Sequence, residues 1–327
     1  MTRQRLALVC TAAFLTAAVS GNGAAQDAYP NQQIRIIVPF PAGGGTDITA
    51  RLLGEQLRRA LGHPIVVDNR TGASGMIGTL AAAKSPPDGY TLLVASGEMA
   101  VNPHLYKQMA YDWDKDLVPI TLLVKVPNIL VVNADVPVKS VQELIAYAKA
   151  NPRKLTFSTS GVGNPQQLAG ELLNKMAGLE IMHVPYKGAA PQLADVARKH
   201  ITMTFSSIAA ALPFIESGKV KPIAVTSSAR VSMMPNVPAV AEYPPLAGYE
   251  LVNFFGFLGP AGLPDPVLRK LNASAVQALQ SPDIATKLKA MGFEPAPMSS
   301  ERFRAFIRRE SEKFAKIIID ADVKVEQ

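Results

Sequence analysis

The chain has 327 residues, of which 48% are hydrophobic, 18% charged and 6% aromatic, enough apolar material for a buried core and too few charges for disorder. Its net charge is +7, and the densest basic cluster, Arg302, Arg304, Arg308 and Arg309, is interleaved with acids, so a solvated helix face is expected there rather than a nucleic-acid stripe. The length suggests two domains, and 26 Pro with 23 Gly spread along the chain mark many short turns.

Residues 1–25 read as an export signal. Arg3 and Arg5 form a basic start, Leu6 to Val19 is an apolar or small run, and Gly23-Ala24-Ala25 supplies the small residues for cleavage near Ala25. The run is too short to span a bilayer core, which takes about 20 apolar residues, and no later segment reaches that length without a charge or proline. Losing Arg3 and Arg5 leaves 31 basic against 26 acidic residues, a charge of +5 that modestly favours capture of small anions. The single cysteine, Cys10, lies inside the leader, and bulky Val9 argues against a lipid anchor on it. A mature chain without thiols has no disulfide, cysteine nucleophile or Cys-based metal site, and the bacterial periplasm is the expected compartment.

The body alternates strands with helices. Gln33 to Phe40 is a β-branched run, Pro41 to Gly45 a tight turn, and helical spacing begins at Ile48, with Thr46 or Asp47 as the expected N-cap. Strand Pro64 to Asn69, turn Gly72 to Gly75 and helix Met76 to Lys84 repeat the pattern, followed by strand Tyr90 to Ala95. Two apolar stretches, Ile120 to Val124 and Ile129 to Val132, flank Pro127 and suggest a crossing between two sheets.

A second block follows: helix Val141 to Ala150, strand Leu155 to Thr159, turn Gly161 to Gly163 and helix Gln166 to Met176. Strand Ile181 to Pro185, helix Ala190 to Arg198, strand Ile201 to Ser206, helix Ile208 to Glu216 and strand Pro222 to Thr226 complete it. Leu251 to Gly259 is a second apolar crossing, and Pro266 to Gln280, Pro282 to Met291 and Glu301 to Ile319 are helical. Such alternation implies mostly parallel sheets with ligands at the carboxyl ends of strands.

Three glycine-rich turns open helices, where free N–H groups and the positive end of the dipole suit a carboxylate or phosphate. None completes a dinucleotide fingerprint or a P-loop. His63, His104, His183 and His200 lack metal-ligand spacing, and no nucleophile elbow occurs. Neither a metal nor a cofactor is expected, and binding is favoured over catalysis.

Ordered segments along the mature chain carry a family resemblance. They are Val38-Pro-Phe-Pro-Ala-Gly-Gly-Gly-Thr-Asp47, Asp68-Asn-Arg-Thr-Gly-Ala-Ser-Gly75, Pro87-Asp-Gly-Tyr-Thr-Leu-Leu93, Asn102-Pro-His-Leu-Tyr106, Tyr111-Asp112 with Lys115-Asp116, Ser158-Thr-Ser-Gly-Val-Gly163, Val184-Pro-Tyr-Lys-Gly188 and Phe255-Gly-Phe-Leu-Gly-Pro-Ala-Gly262. The chain resembles the Bug family, the extracytoplasmic solute receptors of tripartite tricarboxylate transporters. That resemblance implies an α/β, two-lobed Venus-flytrap fold of the type II periplasmic-binding-protein class, with two interlobe crossings. Residues 26–125 and 250–327 would form the first lobe and 126–249 the second.

The resemblance places the ligand between lobes, held by Phe40, Pro41, Ala42, Gly43, Thr46 and Asp47 of the first loop and by Ser160, Gly161, Gly163 and Asn164 of the other lobe. Ser96, Gly97, Ser206 and Ser207 join them by their position after strands. The chain departs from the family pattern at Asn164 and Gln167, where Ser and His are frequent, and at Phe205-Ser206-Ser207, where Phe-Asp-Asn is frequent. Both changes remove titratable groups, which points to a dicarboxylate, and Phe254, Phe255 and Phe40 leave room for an aromatic one. The expectation is a monomeric periplasmic receptor serving the membrane subunits of a tripartite transporter. A hydrolase or lyase acting on a carboxylate, and a ligand-presenting partner of a membrane sensor, are the alternatives.

Overall fold

The structure is a computed structural model that describes residues 29–323. The leader, with Cys10, lies outside the described residues.

In chain order the elements are β1 (Ile34–Val38), α1 (Gly45–Leu61), β2 (Ile65–Asn69), α2 (Met76–Ala83), β3 (Thr91–Ser96), α3 (Glu98–Leu105), the short α4 (Trp113–Asp116) and β4 (Leu117–Asn133). They continue with α5 (Val141–Ala150), β5 (Thr156–Thr159), α6 (Pro165–Ala177), β6 (Met182–Pro185), α7 (Ala189–Ala197), β7 (Met203–Ser207), α8 (Ile208–Glu216) and β8 (Val220–Val225). The last are β9 (Val252–Pro260), α9 (Asp265–Gln280), α10 (Pro282–Ala290), β10 (Glu294–Pro295) and α11 (Ser300–Asp320).

Strands β2-β1-β3-β9-β4-β7-β5-β6 lie side by side in that order, with β8 and β10 also paired to β4. The βαβ units β1-α1-β2 and β5-α6-β6 are parallel, while β3 to β9, β9 to β4 and β4 to β7 are antiparallel. β4 belongs to both halves of the molecule. Its first part pairs with β9 and β10, and its last part, Asn128 to Asn133, with β7 and β8. The fold is therefore two-lobed, one sheet per lobe, with β4 common to both.

Pro127 does not split β4 as expected; the strand runs unbroken for 17 residues. The proline falls at the handover between partners, where it faces Val252 at the start of β9, and the next N–H, of Asn128, goes to Thr226 Oγ1 at 3.0 Å. No ladder donor is needed at that point, so the lost N–H costs little. The chain passes beside the same place again through the bond from Leu251 N–H to the Thr226 carbonyl at 2.9 Å.

Helix α3 is an element for which no expectation was formed; it contains Pro103, which near the C-terminal end of eight residues removes only one intrahelical bond. In the arginine cluster of α11, Arg302, Arg308 and Arg309 are exposed as expected, while Arg304 and Arg308 also close on Asp114 at 2.5 and 2.7 Å and fasten α11 to α4.

Candidate functional site

Helix α1 starts a turn earlier than its apolar spacing suggests. Gly44 is the N-cap and no side chain caps the helix, which corrects the assignment of that role to Thr46 or Asp47. Asp47 instead occupies the third helical position and is 2% exposed. Its Oδ2 accepts from Gly43 N–H and Arg51 Nε, each at 2.9 Å, and its Oδ1 from Asn69 Nδ2 at 2.9 Å. Burial pushes the carboxyl up, but bonds from Arg51, Gly43 and Asn69 outweigh it and hold the group below the usual carboxylate range. Asn69 also donates to the Phe40 carbonyl at 3.0 Å, so Asp47 and Asn69 together fix the shape of the loop from Phe40 to Gly44.

The loop before α6 is fixed from the helix it opens. Asn164 Oδ1 caps Gln167 N–H at 3.0 Å, and Gln167 Oε1 accepts from Gly163 N–H at 2.8 Å. Gln166 Oε1 accepts from both the N–H and the hydroxyl of Ser160. Gly163 has φ +69°, a conformation that glycine adopts without strain. Below the loop, Thr159 Oγ1 donates to the Gly161 carbonyl at 2.6 Å, so it accepts from His183 Nε2 at 2.7 Å. Burial holds His183 down to about 4, and a neutral ring protonated at Nε2 fits that bond.

A third turn joins β3 to α3. Asn253 Oδ1 accepts from Gly97 N–H at 3.0 Å and Phe254 N–H at 2.7 Å and lies 3.2 Å from Ser96 Oγ, clamping the turn so that Glu98 begins the helix. In the fourth, Ser207 is the N-cap of α8, with no capping bond from its own side chain.

These turns meet around a cavity of about 380 Å³. Gly43, Gly45 and Ile48 supply the side from α1, Ser160, Asn164 and Gln166 that from α6, and Ser207 with Ala209 and Ala210 that from α8. Val126 and Asn128 of β4 also line it, while Asn253, Phe255, Met291 and Phe293 complete the wall around Glu98. Phe255 and Phe293 pack edge-to-face with centroids 5.5 Å apart. A Cβ on Gly45 would come within 2.9 Å of Phe293 and 3.2 Å of Phe255, so glycine is what lets the helix reach that aromatic wall.

Of the residues expected at the ligand, Gly43, Ser160, Asn164 and Ser207 line this cavity. Pro41 and Ala42 are exposed on the same loop, whereas Phe40 lies against Gly75. Thr46, Asp47, Ser96, Gly97, Gly161, Gly163 and Ser206 stand behind the wall: Asp47 and Gly163 brace loops, Ser96 and Gly97 make the turn before Glu98, and Ser206 is buried on the strand position next to Ser207. Phe254, expected to flank the ligand, is fully buried against Phe303 and Phe306. The turn Gly72 to Gly75 does not line the cavity; the third helix end comes from α8, which opens without glycine. Glu98, Asn128, Gln166 and Phe293 were missed. Only Glu98 had a sequence signal, an acid directly after the Ser-Gly turn of a buried strand.

Among the described residues, no group of three or more His, Cys, Asp or Glu could hold a metal, and no helix is long and apolar enough to cross a membrane.

Two α/β lobes sharing a through-running strand, with helix N-termini gathered on one cavity between them, define a periplasmic solute-binding protein. The chain belongs to the tripartite tricarboxylate transporter family receptors, whose model matches residues 49–323. It is 36% identical over 303 residues to protein BugT of Bordetella pertussis, covering 91% of this chain and 92% of that one. Among solved structures, Rpa4515 of R. palustris with adipate superposes with a TM-score of 0.81 at 36% identity, covering 90% of this chain and 99% of the other. MatC of Rhodopseudomonas palustris with bound malate gives 0.76 at 28% identity, covering 89% and 100%.

Proposed function

We propose that this receptor captures a small dicarboxylate in the cleft and presents it to the membrane subunits of a tripartite transporter. The observation that carries the reading is the convergence of the N-termini of α1, α6 and α8 on a cavity with no Lys, Arg or His in its wall among the described residues. First-turn N–H groups have no intrahelical partner, and each helix end attracts an anion by about 0.3–1 kcal/mol. A micromolar complex takes about −8.2 kcal/mol, so several ends must act on one carboxylate while Ile48, Val126, Phe255 and Phe293 bury the apolar part of the ligand. Phe255 and Phe293, packed edge-to-face, give the cavity an apolar aromatic wall that also accommodates an aromatic diacid.

In this reading Gly43, Ser160, Asn164 and Ser207 touch the ligand, and Phe40, Pro41, Ala42, Thr46, Asp47, Ser96, Gly97, Gly161, Gly163 and Ser206 shape the loops that do. The first lobe comprises residues 26–125 and 250–327 of the exported chain, the second 126–249, and the receptor works as a periplasmic monomer. Adipate and malate in the related structures support a diacid of four to six carbons. The test is mass spectrometry of small molecules released from protein purified under native conditions. A diacid is the expected finding; a sugar or a neutral amide in stoichiometric amount would refute the reading.

A further inference from the structure

Among the described residues, Glu98 is the only charged side chain in the cavity wall. Its Oε2 is buried and, like Asn128 Nδ2 in the same wall, has no hydrogen-bond partner. Charged groups on the neighbouring elements are engaged elsewhere. His104 of the same helix contacts Ser311 at 2.8 Å, Lys313 of α11 pairs with Glu310, and Lys125 of β4 and Arg309 of α11 lie over the Phe306 ring. No cation therefore balances Glu98, and a carboxyl in that position takes up a proton more readily than in water. Burial is the main cause that raises it, against smaller opposing effects of the Ser96 hydroxyl and its own N–H.

Apart from Asn128 Oδ1 and the Ser207 hydroxyl, the side-chain acceptors in the rest of the wall are already engaged. The amide oxygens of Asn164, Gln166 and Asn253 are all taken, by Gln167 N–H, by Ser160 and by the Gly97 and Phe254 N–H groups. An ammonium group has three N–H donors to satisfy and would meet few free acceptors beside Glu98. A carboxylate would meet helix-end N–H groups and Asn128 Nδ2. Building on the dicarboxylate reading above, we infer that Glu98 is the specificity residue for the second carboxylate. It carries a proton in the liganded state and donates it to that carboxylate, so ligand and proton are taken up together. An ionised Glu98 would repel the second carboxylate, whereas a shared proton turns the pair into a hydrogen bond. The proton comes from solvent, and no covalent bond changes other than its O–H.

The test is calorimetry with adipate and malate from pH 6.5 to 8.5, in pairs of buffers that differ in heat of ionisation. The expected result is uptake of up to one proton per diacid and a Kd that rises with pH, approaching about tenfold per unit where free Glu98 is ionised. In E98Q, whose amide keeps a donor at every pH, the dependence should collapse and the affinity at pH 8.5 should exceed that of the native protein. A pH-independent Kd without proton uptake, or E98Q that binds and titrates as the native protein does, overturns the role of Glu98 and leaves the carboxylate reading standing. Preference for amino acids over diacids with loss of binding in E98Q makes Glu98 an ammonium acceptor and also overturns it. If no carboxylate binds at any pH, the reading of the site fails and the inference with it.

Discussion

Gln166 Oε1 accepts both the backbone N–H and the hydroxyl of Ser160, each at 2.9 Å. Helix α6 thus holds in place the loop that precedes it, and Ser160 reaches the cavity already oriented. Gln166→Ala is expected to free this loop, costing roughly 0.5–1.5 kcal/mol of binding, about two- to twelvefold in Kd, with little change in melting because Ser160 can turn to water. Titration calorimetry beside thermal unfolding checks this; a melting loss larger than the binding loss would show the bond to be structural instead.

The equivalent brace in the other lobe is charged. Asp47→Ala leaves Gly43 N–H without its acceptor and removes one acceptor each from Arg51 and Asn69, and should destabilise the fold by about 1–3 kcal/mol while weakening ligand binding. Asn69→Ala acts on the same loop through Phe40, so the double variant should fall short of the sum of the two. Additive losses in chemical denaturation would mean that the two residues do not form one unit.

His183 makes a pH prediction. Its folded value of about 4 lies below the ordinary 6.5, so the unfolded chain binds the proton more readily between them. The sign is that stability is lost as pH falls from about 6.5 to about 4, by up to roughly 2–3 kcal/mol given the partial exposure of the ring. His183→Gln should flatten this segment of the denaturation profile. An equally steep profile in the variant would assign the acid sensitivity to other groups.

Lobe closure follows from β4 and β9. The two strands pair with each other where Pro127 meets Val252, which makes a narrow hinge, and a ligand touching Gly43 on one side and Ser160 on the other favours the closed population. Solution scattering should give a smaller radius of gyration with saturating adipate than without. An unchanged radius with adipate demonstrably bound would mean a preclosed receptor or a site confined to one lobe, and contradict closure on binding.

Much of this architecture was legible because strands such as Ile34–Val38 and helices such as Val141–Ala150 carry strong periodicity and clear punctuation. What failed depended on tertiary partners. Proline reads as a strand breaker, and nothing local says that Pro127 stands where β4 changes neighbours. Asp47 reads as a cap because its carboxylate is near a helix start, while its actual partners include Asn69, 22 positions away. The loops of the site were recognisable through family segments, yet which of their residues face the cavity was not, since alternation puts Ser207 on the wall and Ser206 behind it. Glu98 was signalled only by its place after the Ser96-Gly97 turn, and Phe293 reaches the cavity from a segment that gave no local indication of a ligand.

The central claim is that helix ends recognise carboxylates in a wall that has no Lys, Arg or His among the described residues. Its most direct test is titration calorimetry of adipate and malate against their neutral diamides at pH 6.5 on one protein preparation. The account predicts saturable binding of at least one diacid at a single site and no measurable binding of either diamide. Diamides that bind as tightly as the diacids would contradict it.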